Sequence, residues 1–457
     1  MGAQFSRRRM MQGAGAAALS QSLPAIEAAP ARRTWPIEEG PGTPKICLSP
    51  GDGGGPLPAS VQLPTAATGP VRGGYGGYLA PKPQAPPPAP PDPNAARGRA
   101  RFSASYQRIR QLGVTHLLGV SIGGGMPWTE DNVRRAVQTA KDAGLVAYNS
   151  MIGLPYSILY GKSTRDKDME PILASIAAAG KGGLSVVEYN FYAHRAIEGY
   201  YETVGRAKAG YTAFYHDLEL LINEEGLVVQ PIYRDESGAI TPETLAAFPN
   251  ARKVKFKDLQ PLANEGAHTL KEMWANITWF LTLAVPAAEK AGVRLALHPN
   301  DPPSPVSRGS EQIMGSLAGW KHLIEIVNSP ANGISFDCGV TCEMGEDPVA
   351  VAEYFASRKR INHVHYRNVL VEKPYERYQE VFIDVGQVDM FAVMKALVKN
   401  KYNGIIYPEH PRALDADRDR FGPGGRSPGY PGGGGYTGIA YSVAYTRAMM
   451  QAALSSL

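Results

Sequence analysis

The chain has 457 residues, 44% of them hydrophobic, which is enough to bury the core of one large α/β domain. Its formal net charge is +5, with no basic stripe interleaved with aromatics, which argues against nucleic acid as a partner. No apolar run reaches the roughly 20 residues of a membrane span, and three Cys cannot make a disulfide framework.

The N-terminus reads as an export signal. Ser6-Arg7-Arg8-Arg9-Met10-Met11-Gln12 precedes a weakly apolar run from Gly13 to Leu19, and Ala29-Pro30-Ala31 offers a small-residue cleavage site. Paired Arg with modest hydrophobicity resembles a twin-arginine signal, which carries folded proteins, so residues 1–34 are set apart and a periplasmic or exported protein is expected. The mature chain, 35–457, then reads as a single domain.

Lys45 to Ser49 is the first predicted strand. Residues 52–100 are dense in Pro and Gly and read as a long inserted loop, because Pro lacks the amide donor and Gly weakens helix and strand alike. From there the pattern is regular. Strands are predicted at Val114–Val120, Leu145–Ser150, Leu184–Phe191, Val293–Leu297, Gly333–Phe336, Ile361–His365 and Ile405–Tyr407. Helical segments alternate with them, among them one capped by Thr129 and a long one over Thr269–Ala291 with Pro286 as a kink site. Residues 192–262 break the rhythm with many Tyr and charges and read as a water-excluding lid after the fourth strand. Eight short apolar strands separated by helices predict a (β/α)8 TIM barrel, with a doubly wound open sheet as the alternative.

Such a barrel carries its chemistry at the C-terminal ends of its strands. Four successive strands there deliver metal-capable side chains: His298, Asp337, His365 and Glu409. Two imidazoles and two carboxylates suit Mn²⁺, Fe²⁺, Mg²⁺ or Co²⁺ better than a closed zinc site. His363 lies on the same strand face as His365, which is nearer the strand end. Cys338 rivals Asp337, but the two adjacent residues point to opposite faces, and a thiolate suits these harder metals less.

The stretch from about Leu270 to Tyr441 resembles the mannonate dehydratases of hexuronate catabolism, within the xylose isomerase-like barrels. The closest parts are Gly292-Val293-Arg294, His298-Pro299-Asn300-Asp301-Pro302-Pro303, Val327 to Gly333, His365-Tyr366-Arg367-Asn368 and Val388-Asp389-Met390. Weaker similarity runs through Tyr189-Asn190-Phe191 back to about Tyr106. The resemblance implies a metal-dependent lyase acting on a small-molecule sugar acid, and leaves open whether it forms a homo-oligomer. It puts the family's metal His on His298 and His365, its Cys ligand on Asp337 and its Asp ligand on Glu409. It puts the catalytic His on His410 and the catalytic Tyr on Tyr436, with Tyr430 in Pro428-Gly429-Tyr430 as a rival. Asn190 and Arg367 are the implied substrate contacts; Arg367 either pairs with the substrate carboxylate or makes a salt bridge on the barrel rim. The Gly-rich run before Tyr436 is read as a flexible segment that lets that residue swing. Three departures stand out: Tyr407 replaces an Arg, Pro411 a Gly, and Ser121-Ile122-Gly123 a pair of His. Tyr407 and Pro411 keep a non-catalytic carbohydrate-binding barrel in play, and Asp337 in place of the family's thiolate keeps a sugar isomerase or epimerase in play.

Overall fold

Short runs of β-branched and aromatic residues with little alternation form parallel strands buried on both faces. Eight of them make the barrel: β1 Lys45–Leu48, β2 His116–Leu117, β3 in two pieces (Val146–Ala147 and Asn149–Ile152), β4 Val186–Tyr189, β5 Arg294–Leu297, β6 Asn332–Asp337, β7 Ile361–His365 and β8 Ile405–Tyr407. The computed structural model describes residues 39–54, 104–230, 240–263, 265–418 and 430–457. The export signal and nearly all of the Pro/Gly-rich insertion lie outside the described residues.

Neighbour pairing runs from β3 through β2, β1, β8, β7, β6 and β5 to β4, and back to β3. The break at Tyr148 is where the ring closes. Its amide donates to Leu117 of β2 at 3.0 Å, while its carbonyl accepts from Val186 of β4 at 3.3 Å. One residue thus passes the ladder from one neighbour to the other, and the predicted open-sheet alternative falls away.

A helix follows each strand: 104–111, Glu130–Asp142, Arg165–Gly182, Leu270–Ala291, Leu317–Ile326, Pro348–Ser357, Met390–Lys399 and Tyr436–Ser455. Thr129 caps the second through Asn132, as its position before two acidic residues suggests. Leu270–Ala291 opens with a capping box, Thr269 with Glu272, and stops where Gly292 turns left-handed at φ 70°. It stays continuous through Pro286, the expected kink site.

The segment after β4 does not stand alone over the barrel. Tyr200–Val204 and Gly210–Tyr215 pair with each other, and Gly210–Tyr215 pairs with Arg377–Val381 of the hairpin that follows β7. With Asn368–Lys373 they make a four-stranded antiparallel cap sheet. Tyr200, Phe214, Leu220, Phe256 and Tyr378 give this sheet its own apolar cluster, with the Phe214 and Tyr378 rings stacked at 5.2 Å.

Candidate metal centre

The rim residues arrive as their strands dictate. His298 follows β5, Asp337 ends β6, His365 ends β7, and Glu409 lies two residues past β8. A register shift between Ile334 and Ser335 brings Asp337 level with His365, which in turn is level with Tyr407. Ligand atoms of Asp337, His365 and Glu409 lie within 4.8 Å of one another, and so do those of Glu188, His298 and His365. The four residues singled out in the sequence therefore meet as two trios that share His365. Glu188, on β4, is the member the sequence reading missed.

All five side chains are buried. Nδ1 of His298 lies 2.8 Å from the Pro299 carbonyl, which can only accept, so Nε2 keeps its lone pair for the centre. His365 Nδ1 is 2.6 Å from Glu409 and its Nε2 is 3.8 Å from Glu188, yet neither makes an aligned hydrogen bond. Burial, reinforced by His363, pushes His365 down to about 3; burial and His365 lower His298 as well. Both rings are neutral at pH 7, the form that binds metal. Burial raises Asp337 to about 6, against the pull of Arg367. For Glu188, burial is outweighed by His363, His365 and His298, which hold its carboxyl below the usual range. Buried imidazole nitrogens left without hydrogen bonds among carboxylates fit a divalent cation, since such groups are costly to leave unpaired.

Cys338 turns away from this centre. Its Sγ packs on the carbonyls of Arg367 at 3.2 Å and His365 at 3.5 Å. Asp337 faces inward and also caps the short helix Cys338–Glu343 through Val340.

Arg367 goes beyond the single rim salt bridge that was its alternative role: it is the buried cation among five acids. Nε is 3.2 Å from Asp337 and from Glu409, Nη1 is 2.6 Å from Glu343 and 3.6 Å from Glu380, and Nη2 is 3.5 Å from Asp301. Five carboxylates crowded into one buried volume need such a charge. Only Nη2 lacks a hydrogen bond among the described residues. Asn190, just past β4, donates to Met151 Sδ at 3.4 Å and leaves its buried Oδ1 without a partner among the described residues.

His410 stands beside the centre, with Nε2 3.6 Å from Glu409 and Nδ1 3.0 Å from Glu380. The tyrosine that joins it is Tyr430, not Tyr436. The Tyr430 ring lies 4.6 Å from the His410 ring, and its hydroxyl donates to Glu380. The Tyr436 hydroxyl instead donates to the Arg108 carbonyl at 3.1 Å, because that residue opens the last helix and turns toward helix 104–111. Nor is the described part of the Gly-rich run free to swing. Gly432 donates to Glu202 at 3.2 Å, Gly434 donates to Pro411 at 2.6 Å, and Gly433 bridges to Arg412. A Cβ on Gly434 would sit 2.3 Å from the Arg412 carbonyl, so close approach is what glycine provides there.

Fold and site together define a (β/α)8 barrel with a buried histidine–carboxylate centre at the C-terminal rim. A family model described as D-mannonate dehydratase matches residues 97–456, and the chain belongs to that family of hydro-lyases. It is 28% identical over 328 residues to the mannonate dehydratase of Enterococcus faecalis, covering 69% of this chain and 88% of that one. With the Thermotoga petrophila mannonate dehydratase it shares 27% identity over 360 residues, 72% of this chain and 91% of that one. The crystal structure of mannonate dehydratase from Streptococcus suis has the same fold, at a TM-score of 0.58 and 24% identity over 77% of this chain and 90% of that chain.

Proposed function

We propose that this protein dehydrates a sugar acid, taking D-mannonate to 2-keto-3-deoxy-D-gluconate and water. The observation that carries the reading is the placement of His410 and Tyr430, two proton-carrying groups, beside the Asp337–His365–Glu409 trio. His298, Asp337, His365 and Glu409 would hold the metal, with Glu188 behind His365; the oxygen-rich set favours Mn²⁺ or Fe²⁺, with Mg²⁺ and Co²⁺ acceptable. When bound, a divalent ion supplies the positive charge that the reaction needs, because removing a proton beside an ionised carboxylate builds a second negative charge.

The chain's own groups handle the protons. Burial alone would lower His410, but Glu380, and Glu409 while it carries no metal, raise it; beside Glu409 at the rim it suits the acid that protonates the departing C3 hydroxyl. Tyr430, whose hydroxyl donates to Glu380, is the second proton-carrying group beside it. Arg367 Nη2 and Asn190 Oδ1, both without hydrogen bonds among the described residues, are the groups left to meet the substrate's carboxylate and hydroxyls. The paired Arg7-Arg8, the short apolar run and the Ala29-Pro30-Ala31 site support export of the folded, metal-loaded protein to the periplasm.

The test is to incubate protein loaded with Mn²⁺ or Fe²⁺ with D-mannonate and follow the 2-keto-3-deoxy acid by NMR. Its appearance supports the dehydratase. Exchange between isomers without loss of water, or saturable binding with no turnover, overturns it.

A further inference from the structure

Glu380 belongs to none of the barrel strands. It sits on the cap strand Arg377–Val381, is 1% exposed, and has every oxygen committed. Oε1 accepts from the Tyr430 hydroxyl and lies 3.0 Å from His410 Nδ1, while Oε2 accepts from Arg412 Nη2 at 2.9 Å. One buried carboxylate thus ties together the only two residues to which the proposed function gives proton transfer.

His410 is held in place from a second side. Its backbone is left-handed at φ 46°, a conformation that is costly for a residue with a Cβ. Arg412 donates to its carbonyl from Nε at 2.8 Å and from Nη2 at 2.6 Å, and the same guanidinium grips Glu380. The surroundings over-determine both where His410 sits and how its ring is turned.

We propose that Glu380 is a positioning residue: it fixes His410 with Nδ1–H toward the cap, turns Nε2 toward the rim centre, and sets Tyr430 against the same ring. The argument rests on orientation. An ionised carboxylate only accepts, so the nitrogen facing it must carry the hydrogen, and the opposite nitrogen is the one left for the reaction. Asp301, Glu380 and His410 also have the spacing of a metal trio. That use is disfavoured, because Arg412 at 2.9 Å and Arg367 at 3.6 Å from Glu380, with Arg367 at 3.5 Å from Asp301, already supply the cationic partners. The role deepens the dehydratase reading and depends on it for its effect on turnover, but not for its effect on the ring.

Two measurements on the full chain test it. In protein loaded with diamagnetic Mg²⁺ and labelled with ¹⁵N-histidine, the His410 Nδ1–H should appear as a downfield, exchange-protected resonance, assigned by its loss in His410→Gln. It should be missing in Glu380→Gln; persistence there overturns the proposal. In the dehydration assay, Glu380→Gln should lower kcat by about 10²-fold, the scale of one proton-transfer group, with KM within about threefold and metal content unchanged. A kcat within twofold of wild type overturns it, and so does a loss of bound metal that accounts for the lost activity. Should Glu380→Gln fail to fold, Glu380→Asp keeps the charge but withdraws it by one methylene and serves for both measurements. If wild type makes no 2-keto-3-deoxy acid, the dehydratase reading fails alone, and the resonance still decides the role of Glu380.

Discussion

Asp337 and Cys338 are neighbours with opposite fates. The carboxylate meets His365 and Glu409, and the thiol lies on the backbone of β7. Asp337→Ala should therefore lose the metal and the turnover, while Cys338→Ser should keep both at a packing cost of about 1 kcal/mol. Metal analysis of the two purified variants decides it; metal lost from Cys338→Ser and retained by Asp337→Ala would put the ligand one residue along. That choice was legible in the sequence because a strand end fixes which side chain turns inward. His298, His365 and Glu409 were legible for the same reason. Glu188 was not: Val-Val-Glu-Tyr reads only as a strand, and its carboxylate finds Asn149 at 3.1 Å and Ser335 at 2.8 Å only inside a closed barrel. Glu380 was hidden differently. It sits in Tyr-Glu-Arg-Tyr-Gln-Glu, which looks like a solvated hairpin until a distant strand covers it. Tyr436 over Tyr430 was decided by distance to the last helix, and distance along the chain does not say where a hydroxyl points.

The loops above the barrel are joined by charge as well as by strand pairing. Glu198, in the short turn Ile197–Gly199, pairs with His194 at 2.9 Å and Arg308 at 3.1 Å. Arg308 also donates to the carbonyls of Gly226 at 3.1 Å and Gln260 at 3.2 Å, so one ion pair ties four loop segments together. Burial would raise the Glu198 pKa, but His194 and Arg308 outweigh it and hold the carboxyl at about 2. A depressed carboxyl stabilises the fold above its unfolded pKa, near 4.5, and loses that contribution as pH falls toward 2. Glu198→Gln should therefore cost of order 3 kcal/mol at pH 7 and less than half of that at pH 3. Urea unfolding of both proteins at the two pH values checks the sign, and an equal gap at both would contradict it. The alternating strands and helices were readable because hydrophobic period is local. The cap sheet was not, because residues 200–215 carry no local sign that their partner is 377–381.

At the scale of the whole chain, the ring closes at Tyr148 and the site is assembled from residues spread between Glu188 and Tyr430. For export, changing Arg7 and Arg8 together to Lys should leave the precursor in the cytoplasm, as fractionation would show, if the twin-arginine reading holds; unchanged periplasmic delivery would count against it. The (β/α)8 count was legible because each strand and helix announces itself, while the closing residue was not, since a strand that changes partners looks like any other strand. The cap sheet has a consequence for synthesis. Gly210–Tyr215 emerges from the ribosome with an open hydrogen-bonding edge and must wait for some 160 further residues before Arg377–Val381 can cover it. Glu409 follows later still. Through that interval the nascent chain presents an unpaired strand, the kind of surface that invites wrong partners and that chaperones shield. The centre itself can take up its ion only near the end of translation.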